Sequence, residues 1–485
     1  MSAGAARVAK VAAKALAATA AATVVLAILV NLRDPEISLQ ARAMSRFDLP
    51  AVPEAGNAYV ALLGLSAAPD ADPLAEGARL VAERDDATGR DPFARERAPR
   101  QEREGDDIED GRIAFNGDRD LACDIFDEPC LPFAKARAAA ISALLTNNKL
   151  LIERYLQARQ MPVFAATVIA NTRRANLERS NLVLVHALLL TQAALDAQQG
   201  SAGDACRFLR DDGAFWRRAM SGGATLGDKL SAFNAFSEDL RLGSEIIASE
   251  GFDAGACAPA INALLAPLTA EESSLANAFR TAFVPTLRML ASWPDPSISV
   301  EPESWPDRYL KETPIYELFY RRNASINRSA RIHAGLAALA TVPTRAFGAA
   351  RDSFLADVSD VTAIGPGWLY NPLGKSLLGR HIALDVDYVA HAHGVAAYVA
   401  LVRAQLALRL AGASPAQVPR FLEHAAVATM NPFDGRPFHW DAARRTLSFD
   451  PPDRRWRRWG ASVPVASAGP AATATVPGFA TMPVR

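Results

Sequence analysis

The chain reads as a mainly α protein: an N-terminal transmembrane helix, then an irregular multi-helix domain with a small C-terminal β-hairpin. Three observations predict this. Residues 15–32 carry no charge and follow a basic, acid-free N-terminus. Apolar residues recur every three or four positions through most of the remainder. Near the end, "RPFHWDAARRTLSFD" has two short strand-like runs around a turn.

The N-terminus comes first. "MSAGAARVAKVAAK" (1–14) carries Arg7, Lys10 and Lys14 and no acid, and is expected to be a cytoplasmic tail. "ALAATAAATVVLAILVNL", Ala15 to Leu32, would span about 27 Å as a helix. Its first half is weakly apolar, so "VVLAILV" supplies most of the transfer free energy. Basic residues before the span hold that end in the cytoplasm and send the remainder across. A cleaved signal peptide is the competing reading. Cleavage needs small residues just past the apolar run, where Val30-Asn31-Leu32-Arg33 stands instead, and Ala41-Arg42-Ala43 comes too late. The expectation is a signal anchor crossing a bacterial inner membrane once, with the bulk of the chain in the periplasm.

Half of the residues are hydrophobic and 22% are charged, a globular balance. Lys+Arg 52 against Asp+Glu 53 gives a net charge of −1, without the basic excess of a nucleic-acid binder. None of the four cysteines forms a C-x-x-C pair: Cys123 and Cys130 lie in "CDIFDEPC", followed by Cys206 and Cys257. An oxidising periplasm favours disulfides. Local pairing gives Cys123–Cys130 and Cys206–Cys257, one of three possible connectivities, with four unpaired core cysteines as the alternative.

Residues 33–131 read as a linker with Pro35, Pro50 and Pro53, two short helices and a charged loop. The helices are "GNAYVALLGL" and "DPLAEGARLVAE", the second with Asp72 as N-cap and Pro73 at the first helical position. The loop runs from Glu83 to Arg119. Residues 132–293 form a first helical subdomain, broken at Gly-rich turns such as "SGGATLGD". Thr269-Ala-Glu-Glu272 has capping-box spacing. "SWPDPSISVEPESWPD" (292–307) reads as a connector. A second helical subdomain, 308–459, holds a long helix from about Gly379 to Leu410. Ser414-Pro415-Ala416-Gln417 opens the next helix, and the β-hairpin closes the subdomain. Residues 460–485 read as a disordered tail.

The chemical motifs dissolve on inspection. Gly374-Lys375-Ser376 suggests a phosphate loop, but that pattern needs glycine at position 369, which is Leu369, and Pro372 removes a needed backbone donor. Lys375 reads as a surface charge. "IALDVDYV" resembles the first motif of haloacid-dehalogenase-type phosphatases, yet no downstream lysine exists to complete the set. His381, Asp385, Asp387, His391 and His393 cannot converge from one helix, because at 100° per residue they point several ways. Asp387 and His391, with His424, remain the metal candidates; the bland alternative is carboxylate–imidazole pairing on a helix surface. "DRRWRRWG" (453–460) reads as arginine–tryptophan stacking at a domain surface. Asn323 and Asn327 begin glycosylation sequons inside a helical segment, where they carry little meaning. No catalytic residue and no cofactor is assigned.

"NAYVALLGLSAAPDADPLAEG" (57–77), "LYNPLGKSLL" (369–378) and "NPFDGRPFHWDAARRTLSF" (431–449) together resemble an uncharacterised family of bacterial membrane-anchored, mostly helical proteins. The resemblance implies an architecture and transfers no catalytic residue. The functional expectation is a non-catalytic binding or scaffold module of the cell envelope. It would have the bilayer and an envelope protein as partners. The alternative is an envelope hydrolase, possibly metal-dependent, whose site is assembled only in the fold.

Overall fold

A single long helix, Pro372–Leu410, organises the molecule. Its second half is buried on nearly every side, from Val389 and Ala390 through Val395, Leu401 and Val402 to Leu408. A helix apolar all round must lie in the centre of a bundle. Here the helices Leu226–Ala248 and Arg322–Leu339 pack along it. Around that pair lie Arg173–Gln198, Ala202–Gly222, Ala254–Leu264 and Ala276–Ser292. The computed structural model describes residues 3–46, 52, 54–85, 111–167, 173–292, 319–424, 426–452, 456–457 and 460–466. The connector 293–307, most of the charged loop and the tail beyond 466 lie outside the described residues.

The fold is mainly α, as the periodicity predicts. One hydrophobic core runs through both stretches predicted as helical subdomains, because Ala276–Ser292 lies along Arg322–Leu339 and Leu226–Ala248 lies against the long helix. A smaller core forms where Ala58–Leu63 crosses Pro73–Asp85, around Tyr59, Val60, Leu80 and Val81. Gly64 and Gly77 sit at this crossing, where a Cβ would come within 2.0 Å of Pro73 O and 1.8 Å of Val60 O, respectively. Buried Arg154 ties this pair to the main body by donating to the carbonyls of Leu65, Ala67, Ala68 and Ala71.

The N-terminal apolar helix runs from Ala3 to Val30. Its apolar residues Leu16, Val24, Val25 and Leu29 are exposed. Thr19 and Thr23 donate their hydroxyl protons to the carbonyls of Ala15 and Thr19 one turn back, so both side chains are satisfied within the helix. A second stretch, Ser180–Gln198, is also long and apolar enough to span. There Val185, Leu188, Leu190 and Ala194 are buried, so it is a core helix.

Several boundaries move. The long helix begins at Pro372, a full turn and more before Gly379, because Asn371 and Pro372 start it directly. Ser414 N donates to Gln417 Oε1 as a capping box requires, but Ser414 Oγ also donates to Gln417 Oε1 and Gln417 N bonds to Ser414 O instead; the residues form a turn, and the helix follows at Val418–Glu423. The hairpin is a three-stranded antiparallel sheet, β1 (His439–Asp441), β2 (Thr446–Ser448) and β3 (Ser462–Pro464). The third strand lies in the predicted tail because Val463 pairs with Leu447, both fully buried. Trp456, expected at a surface, is buried with its ring centroid 4.7 Å from that of Tyr398.

Cys123 is bonded to Cys130 and Cys206 to Cys257. The second bridge closes 51 residues of sequence and joins Ala202–Gly222 to Ala254–Leu264. Opening it by Cys206→Ala/Cys257→Ala should lower unfolding stability by roughly 2–4 kcal/mol, read as a fall in urea midpoint. Alkylation of the unreduced protein should label no native cysteine.

Candidate functional site

Two clusters of buried polar groups stand out, and each is built from short-range geometry. The first is the root of the N-terminal helix. Ala27 is 8% exposed and Asn31 is fully buried, so the last turn of that helix is embedded in the domain. Asn31 Nδ2 donates to Ala27 O at the helix end and to Leu369 O across the interface. Asn31 Oδ1 accepts from the backbone N–H of Asn371 at 2.7 Å. Asn371 sits in the left-handed region at φ 51° as N-cap of the long helix. Its Oδ1 accepts from Arg321 N at 2.8 Å, and its Nδ2 donates to Ser325 Oγ at 2.9 Å.

Residues 33–46, predicted as a linker, are instead docked. Asp34 caps Arg322–Leu339 from outside, accepting from Asn323 N and Ala324 N, both at 3.0 Å. This helix has no side-chain cap of its own, so the orphan donors of its first turn draw the carboxylate in. Asn327 accepts from Ser38 N and donates to Glu36 O. The helix Leu39–Ser45 then packs on Ala276–Ser292 and Arg322–Leu339. Gly374, the glycine of the supposed phosphate loop, is a contact requirement: a Cβ would stand 2.1 Å from Ser325 Oγ. Lys375 is no loose surface charge either. Its side chain is 12% exposed, lies 3.6 Å from Asp360 and donates to Gly367 O at 2.8 Å.

The second cluster is deeper. His186, Asp212 and Asp239 are buried, with ligating atoms within 4.8 Å of one another. His186 Nδ1 meets Glu238 at 2.9 Å; Nε2 meets Asp212 at 3.0 Å and Asp239 at 3.4 Å. Both ring nitrogens face carboxylates, so both must donate and the imidazole is cationic. Burial pushes its pKa down, but hydrogen bonds to Asp212, Asp239 and Glu238 outweigh this and hold it well above the ordinary value. Asp212 also accepts from Tyr155 OH at 2.7 Å, Trp216 Nε1 at 2.9 Å and Arg159 at 3.3 Å. Burial opposes its charge, yet His186, Arg159 and Tyr155 keep it ionised. Asp239 is pushed well up by burial and by Asp212, and its Oδ2 has no hydrogen-bond partner. A cation held by the three would compete with the four donors already on Asp212. The donor set fits a proton-held network better than a metal cage.

The residues singled out in the sequence are dispersed. His391 is fully buried, with its ring 6.0 Å from Trp456 and 6.3 Å from Phe233. Asp387 lies a turn earlier on the long helix and is half-buried, whereas exposed His424 turns its Nδ1 to Arg420 O. Among the described residues, the converging group of three ligating side chains contains none of them. Asp385 is pushed up to about 7 by burial. His186, Asp212 and Asp239 escaped sequence reading because they sit on three helices and form no local motif. The available signal was a polar residue within an apolar run, as in "LVLVHALLL".

Beside Ala202–Gly222 an open cleft of about 670 Å³ is lined by Phe164, Leu264, Arg210, Arg217 and Arg218. Arg217 is engaged by Glu272 at 2.8 Å, and Arg218 donates to Arg159 O at 2.7 Å. No family model matches the chain, and comparison with curated proteins and with solved structures gives no match.

Asp212→Asn should destabilise the fold by about 3–5 kcal/mol, since it strips the charge from a buried, paired network, measured by urea unfolding. The raised His186 pKa sets a pH dependence. Its contribution is complete below the unfolded value of about 6.5 and is lost as pH rises towards the folded value. Relative to His186→Gln, the wild type should lose up to about 1.4 kcal/mol per pH unit above 6.5. Asn371→Ala should be less stable than Asn371→Gly by about 1 kcal/mol, because alanine adds left-handed strain to the same lost hydrogen bonds.

Proposed function

We propose that the chain is a single-pass protein of a bacterial inner membrane whose helical domain stands in the periplasm as a non-catalytic binding or scaffold module. The observation that carries this reading is the root: the apolar helix ends in buried hydrogen bonds to the domain, through Asn31, Leu369 and Asn371. A cleaved leader would be torn out of these contacts. Two disulfides support an oxidising compartment, and Lys10 and Lys14 before the span support its orientation.

The open cleft offers the binding surface. Phe164 and Leu264 supply apolar contact, and three arginines against one lining carboxylate, Glu272, leave a net positive rim, suited to an envelope protein presenting acidic side chains. The family resemblance fits this architecture as a further proposal. Its three motifs carry Asn57, Asn371 and Asn431, all buried asparagines, of which the first two are the N-caps of helices.

A C-terminal fusion to a phosphatase active only in the periplasm should be active, and a fluorescent cytoplasmic reporter at the same site should be dark. The reverse pattern refutes the topology. A photo-crosslinking residue at exposed Ala214 in the cleft should give a discrete protein adduct in cells, and one at exposed Val183 should not. Identical patterns at both positions would remove the cleft as the binding surface.

A further inference from the structure

The length of the anchor helix fixes where the bilayer surface meets the domain. Counting from Ala15, just past Lys14, to Leu32, the apolar stretch spans about 27 Å, against about 30 Å for a bilayer core. No apolar turn is left over to hold the domain away from the membrane. The domain nevertheless embraces the last turn of this helix, at Ala27 and Asn31. What touches the helix there is the short turn Pro366–Leu369. The segment Ala363-Ile364-Gly365-Pro366-Gly367-Trp368 therefore lies level with the outer boundary of the hydrocarbon.

Its chemistry matches that depth. The segment carries no charge. Ile364 is 88% exposed and projects from a Gly-Pro-Gly sequence. Trp368, half-buried, is the residue type enriched at the membrane–water interface. Leu32, directly after the anchor helix, is 62% exposed. The loop is also held in shape: Ala363 N donates to Ser359 O, Trp368 N to Gly365 O and Tyr370 N to Gly367 O. Lys375 clamps Gly367 O from the long helix. Hydrogen-bonded backbone can enter an interfacial layer that bare backbone cannot.

We propose that the Ile364–Trp368 loop is a second membrane contact, inserted beside the anchor into the interfacial layer of the outward-facing leaflet, with the lipid acyl-chain boundary as its partner. The proposal rests on the anchor reading and deepens it. It turns a single tether into a two-point seat, which limits tilting and rotation of the domain and its helix as one body relative to the bilayer.

The test uses full-length protein in phosphatidylcholine vesicles with a single added cysteine carrying an environment-sensitive fluorophore. Ile364→Cys probes the loop and Ala21→Cys the anchor. Val427→Cys serves as an equally exposed control: Val427 is 86% exposed, and the neighbouring Ala428 O accepts from Arg403, far along the long helix from the root. Lipids bearing a quencher near the top of the acyl chain should quench the probes at 21 and 364 at least twofold and leave 427 unchanged. Quenching at 21 but not at 364 overturns the loop contact and leaves the anchor standing. No quenching at 21 defeats the anchor and the loop together. Equal quenching at 364 and 427 overturns a loop-specific seat.

Discussion

The arrangement of this molecule depends on two buried side-chain amides, those of Asn31 and Asn371. A carboxamide carries one acceptor and one donor group, as a peptide unit does, so it can stand in for backbone where two chain segments end. The N-terminal helix leaves carbonyls unpaired at its C-terminus, and the long helix leaves N–H groups unpaired at its start. Asn31 addresses both, donating to Ala27 O and accepting from Asn371 N. Asn371 adds bonds to Arg321 N and Ser325 Oγ, which fixes the start of Arg322–Leu339 as well. Three helix ends are thereby set by two side chains. Buried as they are, these amide groups must be paired, so the geometry tolerates little play.

The His186 cluster works by another rule. Replacing a buried ion network by apolar groups of equal volume is often neutral or stabilising, whereas removing one member is costly. The cluster therefore contributes specificity of packing more than net stability. Asp212 binds Tyr155 and Arg159 of Lys149–Gln160, His186 of Arg173–Gln198 and Trp216 of its own helix. Asp239 and Glu238 bring in Leu226–Ala248. Four helices meet at one charge centre, and a slip of any of them by one residue would leave a charge unpaired.

Periodicity and capping made most helices legible in the sequence, because amphipathic spacing and Thr269-to-Glu272 geometry act locally. The root was only half legible. In "LYNPLGKSLL" Leu369 and Pro372 argue against a phosphate loop, but Asn371 and Gly374 take their meaning from Asn31 and Ser325, which lie far away in sequence. Asp34 as a cap was hidden for the same reason: it serves a helix that begins nearly three hundred residues later. The His186 network was illegible, since its members occupy separate helices and each alone resembles an ordinary polar residue. Long-range pairings are where local reasoning stops.

These pairings also set where the cleft stands. Arg403 donates to Leu265 O, at the end of the helix that forms one cleft wall, and Arg217 lies near enough to depress its pKa after burial has done so. Arg403 is on the long helix that starts at Asn371, so some 32 residues, or about 48 Å along the helix axis, separate the root from the cleft. The second half of that segment is buried on nearly every side, and two helices that line the cleft are joined by Cys206–Cys257. A cleft joined to the N-terminal helix by a flexible linker would sample all orientations, and a partner would meet it at the cost of that freedom. Here the ordering is paid in folding, so the cleft is presented in one fixed relation to the N-terminal helix.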